Sequence, residues 1–162
     1  MLDSLLQFSL GIGAVSAGLM AGVYLAFSGF IMQSLHQQGA EIATRTMNTI
    51  NRVILKSWFI VVFFGSTILF ALLATLAVIY PTLPGRWMLV GIGVSYVIGM
   101  FLCTALFNVP LNHRLSEVDQ QREQMPEVWQ HYLEHWSRWN LLRGLCSLIT
   151  LGLALYYLIT FR

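Results

Sequence analysis

Charge is what this chain has least of. Lysine, arginine, aspartate and glutamate make up 10% of its 162 residues, against about 25% in an average soluble domain. With 57% hydrophobic residues beside so few ions, a water-soluble globule is excluded. The long apolar runs contain no acidic residue, which argues against a transporter, because ion coupling needs a carboxylate at membrane depth. There is no basic tract, and a net charge of +2 points to no nucleic-acid partner. Cysteine is nearly absent too. Cys103 and Cys146 fall in separate apolar runs and form no CxxC pair, so a disulfide framework is not expected and both read as small packing residues. The first apolar run has no basic residue ahead of it and is far longer than a signal core, so it is expected to stay attached as a helix.

What is there in excess is apolar sequence, in four runs at roughly 5–35, 53–80, 87–107 and 139–161. About 20 residues cross the hydrocarbon core, so each run can span. The expected fold is all-α: a single domain, 1–162, forming a polytopic membrane four-helix bundle with an amphipathic extension before the fourth span and membrane lipids around it. Arg86 and Arg162 share the side of the termini. Arg45, Arg52, Lys56, Arg114, Arg122, Arg138 and Arg143 lie on the other. The positive-inside rule then puts the two long connections in the cytoplasm and both termini outside.

Span one carries a ridge of small residues, Gly11, Ala14, Gly18, Gly22 and Gly29, which includes the GxxxG motif GLMAG. Small residues let backbones approach closely in lipid, so the ridge is expected to be a helix-packing seam, either internal or with a second copy in a homo-oligomer. Thirty-one helical residues reach roughly 46 Å, so span one must tilt or protrude. Residues 40–56 read as a polar helix leading into span two, and PTLPG makes the turn between spans two and three. Pro110 cannot donate to the carbonyl of Leu106, so the third helix is expected to kink or end there.

HYLEHW, residues 131–136, matches the zinc-peptidase pattern H-x-x-E-H literally. Pro126 can open a helix, and residues 127–143 then form one helix running into span four. At about 100° per residue, Trp129, Tyr132, Trp136, Trp139 and Arg143 fall within an arc of roughly 80°, and Asn140 widens it by about 20°. His131, Glu134, His135 and Arg138 take the far side, with Glu134 and Arg138 spaced to pair. The histidines therefore read as part of a solvated face. A metal or haem site built from His36, His113, His131 or His135 is the alternative.

The aromatic stripe has two readings. Indoles and phenols at a membrane boundary form interfacial belts, yet Asn140 and Arg143 lie on the same stripe. An arginine one turn into an apolar span either faces a cavity or snorkels to the headgroups. Asn108 and Asn112 share a face at i,i+4, and Asn48 and Asn51 precede span two. Such amides serve interhelical hydrogen bonds or cap an aromatic pocket between the helices.

TMNTINR before span two, FNVPLNHRLSEVD after span three and WxxYxxxWxRWNxLR entering span four together resemble the anthrone oxygenase family of small four-helix membrane proteins, over nearly the whole chain. The resemblance implies a bacterial inner-membrane protein. It further implies oxidation of an anthrone to an anthraquinone with O₂ as co-substrate and no cofactor, on a small hydrophobic aromatic substrate. On that basis Arg143 would hold the oxyanion, with Asn112 and Asn140 orienting it and His113 as candidate proton acceptor. Trp136 and Trp139 would form the stacking wall, with Asn51, Asn108 and Tyr132 completing the binding site. The rival readings are a non-catalytic module that binds a lipid or hydrophobic ligand, and the metal or haem protein above.

Overall fold

The computed structural model describes residues 2–118 and 123–161. Arg122 and Arg162, two of the charges used for orientation, lie outside that range. Five helices account for the fold. Helix α1 runs through Leu2–Ala26, a π-helical turn Phe27–Ile31 and Met32–Gln37. It is followed by α2 (Ala40–Ile54) and α3 (Trp58–Ile79). Helix α4 is one rod, Arg86–Glu117, with π-helical stretches at Val97–Leu102 and Thr104–Asn108. Helix α5 is Met125–Thr160. Four of the five, all but α2, are long and apolar enough to cross a membrane, as the hydrophobic runs require.

The helix bounds differ from the sequence expectation in informative ways. Span two starts at Trp58 rather than near 53, because the chain breaks after Ile54 and Ser57 Oγ accepts from the Phe59 N–H at 3.3 Å, capping the new helix. Pro110 does not end α4. The π-helical turn before it has already widened the backbone register, with the Val109 N–H bonded to Thr104 O five residues back. Pro110 then falls in the first turn of the following α-helical stretch, where a missing N–H costs little. The amphipathic extension and span four form one unbroken helix of 36 residues. That is about 54 Å long, well beyond the ~30 Å core, so its first turns stand clear of the hydrocarbon.

Each spanning helix packs on two neighbours in the cyclic order α1, α3, α4, α5. The turn at the terminal end needs Gly85, whose φ of 60° is left-handed. It is pinned by Tyr157, whose hydroxyl donates to Pro84 O at 2.8 Å. Two apolar clusters result. One fills the bundle around Met20, Tyr24, Phe70, Tyr96 and Met100. The other, around Met32, Met47, Leu115, Trp129 and Tyr132, joins α2 to the protruding ends of α1, α4 and α5.

The expected small-residue ridge of span one is not the internal seam. Ala14 is buried, but Gly22 and Gly29 face outward and nothing lies within 4 Å of a Cβ placed at Gly11, Gly22 or Gly29. The close approaches occur elsewhere: Gly13 against Phe70, Gly93 against Ala74 and the Phe70 carbonyl, Gly99 against Cys146, and Gly144 against Tyr24. Both cysteines are free thiols.

Candidate functional site

A chamber of about 520 Å³ lies where the two clusters meet. All five helices contribute to its walls: Tyr24 and Phe27 of α1, Asn48 and Asn51 of α2, Phe59 and Phe63 of α3, and Trp136, Asn140 and Arg143 of α5. Helix α4 supplies Thr104, Asn108, Asn112 and His113. No Asp or Glu lines it.

Arg143 is the deepest charge, 5% exposed. Its two terminal nitrogens are held on either side: one donates to Thr104 Oγ1 at 3.2 Å, the other to Asn140 Oδ1 at 2.8 Å. The guanidinium carbon lies 4.3 Å from the Tyr24 ring centroid and 5.4 Å from that of Trp136, within cation–π range. Among the described residues no carboxylate forms a salt bridge with it. Snorkelling is therefore the wrong description, since the cation is enclosed by protein. Asn140 is fully buried and acts as a bracket. Its Nδ2 donates to Tyr24 O and to Ser28 Oγ, both at 2.7 Å, while its Oδ1 receives Arg143.

The aromatic stripe of α5 is interior. Trp129, Tyr132 and Trp136 are buried and stack in sequence, with centroids 5.8 and 5.7 Å apart. Trp136 meets Phe27 at 5.7 Å. Two expected wall residues sit elsewhere. Trp139 is not part of the lining and stacks instead on half-exposed Phe107, 3.9 Å centroid to centroid. It occupies one edge of the helical arc, about 100° from Asn140 at the other edge, and only the middle and the Asn140 side turn inward. Tyr132 lies behind the wall, with its hydroxyl donating to Asn112 Oδ1 at 2.8 Å. It positions Asn112 and does not touch the chamber. Tyr132→Phe should lower stability by about 0.5–1.5 kcal/mol and weaken ligand binding several-fold with little change in maximal rate. Thermal unfolding in detergent and a titration of turnover against substrate would check both. The belt role falls to Trp58 and Trp87, which are 62% and 69% exposed near opposite ends of the bundle.

The amides converge as their spacing suggested. Asn108 and Asn112 both line the chamber, one turn apart on the uninterrupted α4, and Asn51 faces them from α2. Asn108 Nδ2 donates to Trp136 O at 3.3 Å, and Asn48 Nδ2 to Leu115 O at 3.2 Å. Several lining groups nevertheless keep a buried polar atom without a hydrogen-bond partner among the described residues: Arg143 Nε, Trp136 Nε1, Asn51 Nδ2, Asn48 Oδ1 and Asn108 Oδ1. Buried polar groups are rarely left unpaired. All five belong to residues that line the one chamber.

The histidines do not gather. His36 Nδ1 accepts from the Trp129 indole N–H at 3.2 Å. His131 and His135 stack on each other at 4.1 Å on the outer face of α5, beside the Glu134–Arg138 pair at 2.6 Å. Among the described residues no three His, Cys, Asp or Glu side chains come together in a set able to hold a metal ion. His131, Glu134 and His135 of HYLEHW thus lie on the outer side of the helix, and Trp136 of the same stretch faces the chamber. His113 alone of the four lines it, at an exposed edge with Ser116.

Sequence reasoning missed Tyr24, Ser28 and Thr104. Thr104 was findable, since it precedes Asn108 and Asn112 by one and two turns in a polar ladder on an apolar run. Tyr24 and Ser28 lie on the far helix, and nothing in the order of residues says that they meet Asn140. The π-helical turns in α1 and α4 carry Phe27, Ser28, Thr104 and Asn108, and π-turns recur at functional sites.

A family model described as anthrone oxygenase matches residues 56–153, more than half of the chain. The chain belongs to the anthrone oxygenase family. The matched stretch holds the α4 and α5 walls of the chamber: Thr104, Asn108, Asn112, His113, Trp136, Asn140 and Arg143. Tyr24, Phe27, Asn48 and Asn51 lie before it, so the anthrone oxygenase match covers the α3, α4 and α5 walls and not those of α1 and α2. No curated protein and no solved structure gives a match.

Proposed function

We propose that the chamber oxidises a planar, enolisable aromatic ketone or phenol of the anthrone type, with molecular oxygen as the only co-substrate. One observation carries this reading. An arginine without a carboxylate partner among the described residues is enclosed on the wall of an apolar, indole-lined cavity, with its Nε unpaired among them. A cation buried at that cost is best matched by a ligand that becomes an anion in place. Loss of the acidic ring proton turns the carbonyl oxygen into an enolate oxygen, which Arg143 would hold as an oxyanion. The enolate carbon passes electrons to O₂ and bonds to one of its oxygens. That oxygen ends as the new ring carbonyl. The other leaves as water, together with the two hydrogens lost from the ring carbon. The protein binds the ring, takes a proton and fixes charge, and the oxidation itself is the substrate's chemistry.

Roles follow from position. Trp136 and Phe27 supply ring faces. Asn140 and Thr104 fix the guanidinium. Asn51, Asn108 and Asn112 offer amides to further oxygens on the ring system. Among the lining side chains only His113 is of a type that ordinarily accepts a proton near neutral pH, which supports it as the base. The test is oxygen uptake with emodin anthrone, measured above the spontaneous rate, in purified protein. No excess uptake from protein that still binds the ring would favour a non-catalytic carrier of hydrophobic ligands.

We also infer that α2 and the long connections face the cytoplasm. Arg143 is enclosed and no longer counts as a topology signal, but Arg45, Arg52, Lys56, Arg114 and Arg138 still outweigh Arg86 among the described residues, which supports that orientation. A cysteine placed at exposed Gln38 should react with a membrane-impermeant maleimide only after the cells are opened. Labelling of intact cells would reverse the topology.

A further inference from the structure

The chamber has an opening whose direction says where its ligand comes from. Helices α3 and α4 are in tight contact toward the terminal end, where Gly93 sits against Ala74 and the Phe70 carbonyl. Toward the other end the chamber comes between them. Ile60 and Phe64 line it from α3, and Val109 from α4. Phe64 is 48% exposed and Val109 38%, so these lining residues are also on the outer surface. The slot between them is closed at its deep end by Phe64 packed edge-on against Phe101, centroids 5.9 Å apart. On the α2 side, Asn48 ties α2 to α4 through Leu115 O, and Tyr132 holds Asn112. Ile60 and Phe64 follow Trp58 by less than two helical turns, and an exposed tryptophan at a helix start marks the membrane interface. The slot therefore lies at the level of the hydrocarbon, just inside the headgroups. Arg52, His113 and Ser116 edge the chamber at the headgroup level.

We infer that the ligand reaches the site sideways from the bilayer, through the slot between α3 and α4, and that Ile60, Phe64 and Val109 govern its passage. This rests on the reading of the chamber as a ring-binding site. An apolar ring system partitions into lipid, so the bilayer concentrates it beside the slot. The ring slides in along Phe59 and Phe63 with an oxygen leading toward Arg143. The slot residues select for thin, flat molecules, because a ring plane passes where a bulky or branched apolar molecule does not.

The test uses the full chain in lipid nanodiscs and emodin, a fluorescent hydroxyanthraquinone, as the probe, with association and dissociation followed by stopped flow. Val109→Trp and Ile60→Trp should each slow association and dissociation together, by about tenfold, leaving Kd within about threefold. Phe64→Ala should speed both. Val94→Trp, on the lipid-facing surface of α4 away from the chamber, should change neither. A change in Kd with an unaltered association rate would make these wall residues and overturn the passage. Slowing by Ser116→Trp, with no effect of the slot variants, would place access at the headgroup edge and overturn it as well. In either case excess oxygen uptake by the unaltered protein would leave the oxygenase reading standing. If the unaltered protein binds no emodin, both fall.

Discussion

Arg143→Met should cut enzyme-dependent oxygen uptake by about 10²–10³-fold, the range for losing one preorganised oxyanion donor, while leaving the fold as stable as before or more so. The opposite signs follow from the environment of one side chain. Arg143 is 5% exposed, with no carboxylate beside it among the described residues, and is held by a threonine, an asparagine and two ring faces. Removing a charge from low-dielectric surroundings removes a desolvation penalty of several kcal/mol, and an apolar residue of similar length keeps most of the packing. A structural arginine would behave otherwise, with activity and stability falling together. Arg143→Lys should not restore uptake. An ammonium is a compact point charge, and it cannot bridge Thr104 and Asn140 while lying flat against Tyr24 and Trp136. Uptake rates with emodin anthrone and thermal unfolding in the same detergent decide it. Uptake within threefold of the unaltered protein in Arg143→Met would remove the cation from the chemistry.

Asn140→Leu should do damage of a different kind, lowering both stability and uptake. Asn140 joins α1 to the cation through hydrogen bonds, with two donated and one accepted. Individual interhelical hydrogen bonds in membranes average only ~0.6 kcal/mol, with a ceiling near 1.7. Here the accepted bond is charge-assisted, and its loss leaves a buried guanidinium nitrogen unpaired, at roughly 1–3 kcal/mol. The sum is about 2–4 kcal/mol. With Asn140 gone the guanidinium keeps Thr104 and the two ring faces but loses its shortest hydrogen bond and shifts, so the rate should drop by a factor close to that of Arg143→Met. Asn140→Asp separates the two effects. It supplies a carboxylate to the cation, so the pair becomes neutral and the oxyanion loses its partner. Stability should return in part and uptake should not. Recovery of uptake in Asn140→Asp would contradict the assignment of Arg143 to an anion.

The face of α5 was legible because helical geometry is local. Once residues 127–143 are a helix, the angular positions of Trp129, Tyr132, Trp136 and Asn140 follow, and so does the separation of His131, Glu134 and Arg138 on the other side. The same holds for Asn108 and Asn112, which stayed on one face because α4 survives Pro110. Local geometry fails where a residue sits at the edge of an arc. Trp139 belongs to the stripe by angle, yet it turned outward onto Phe107, since which part of an arc meets a neighbour depends on where that neighbour lies. The glycine ridge of span one did not become the internal seam for the same reason. Glycines on a face show that close approach is allowed there, and α1 makes its closest approaches through Gly13 and, from α5, through Gly144.

By itself the sequence determined that this chain spans a membrane four times, because apolar run length and the rarity of ions are properties of composition and order alone. It also confined one arginine and a few amides to the bundle interior or the headgroup level, since the hydrocarbon tolerates them nowhere else. The tertiary structure decided what surrounds them. Tyr24 and Ser28 come to Asn140 from 116 and 112 residues away, Thr104 reaches Arg143 across helices, and α3 parts from α4 to leave a chamber open at the side. The hydrogen bonds among Tyr24, Ser28, Thr104, Asn140 and Arg143, and the chamber beside them, depend on the relative rotation and tilt of whole helices, which are set by packing summed over every helix and encoded in no single stretch.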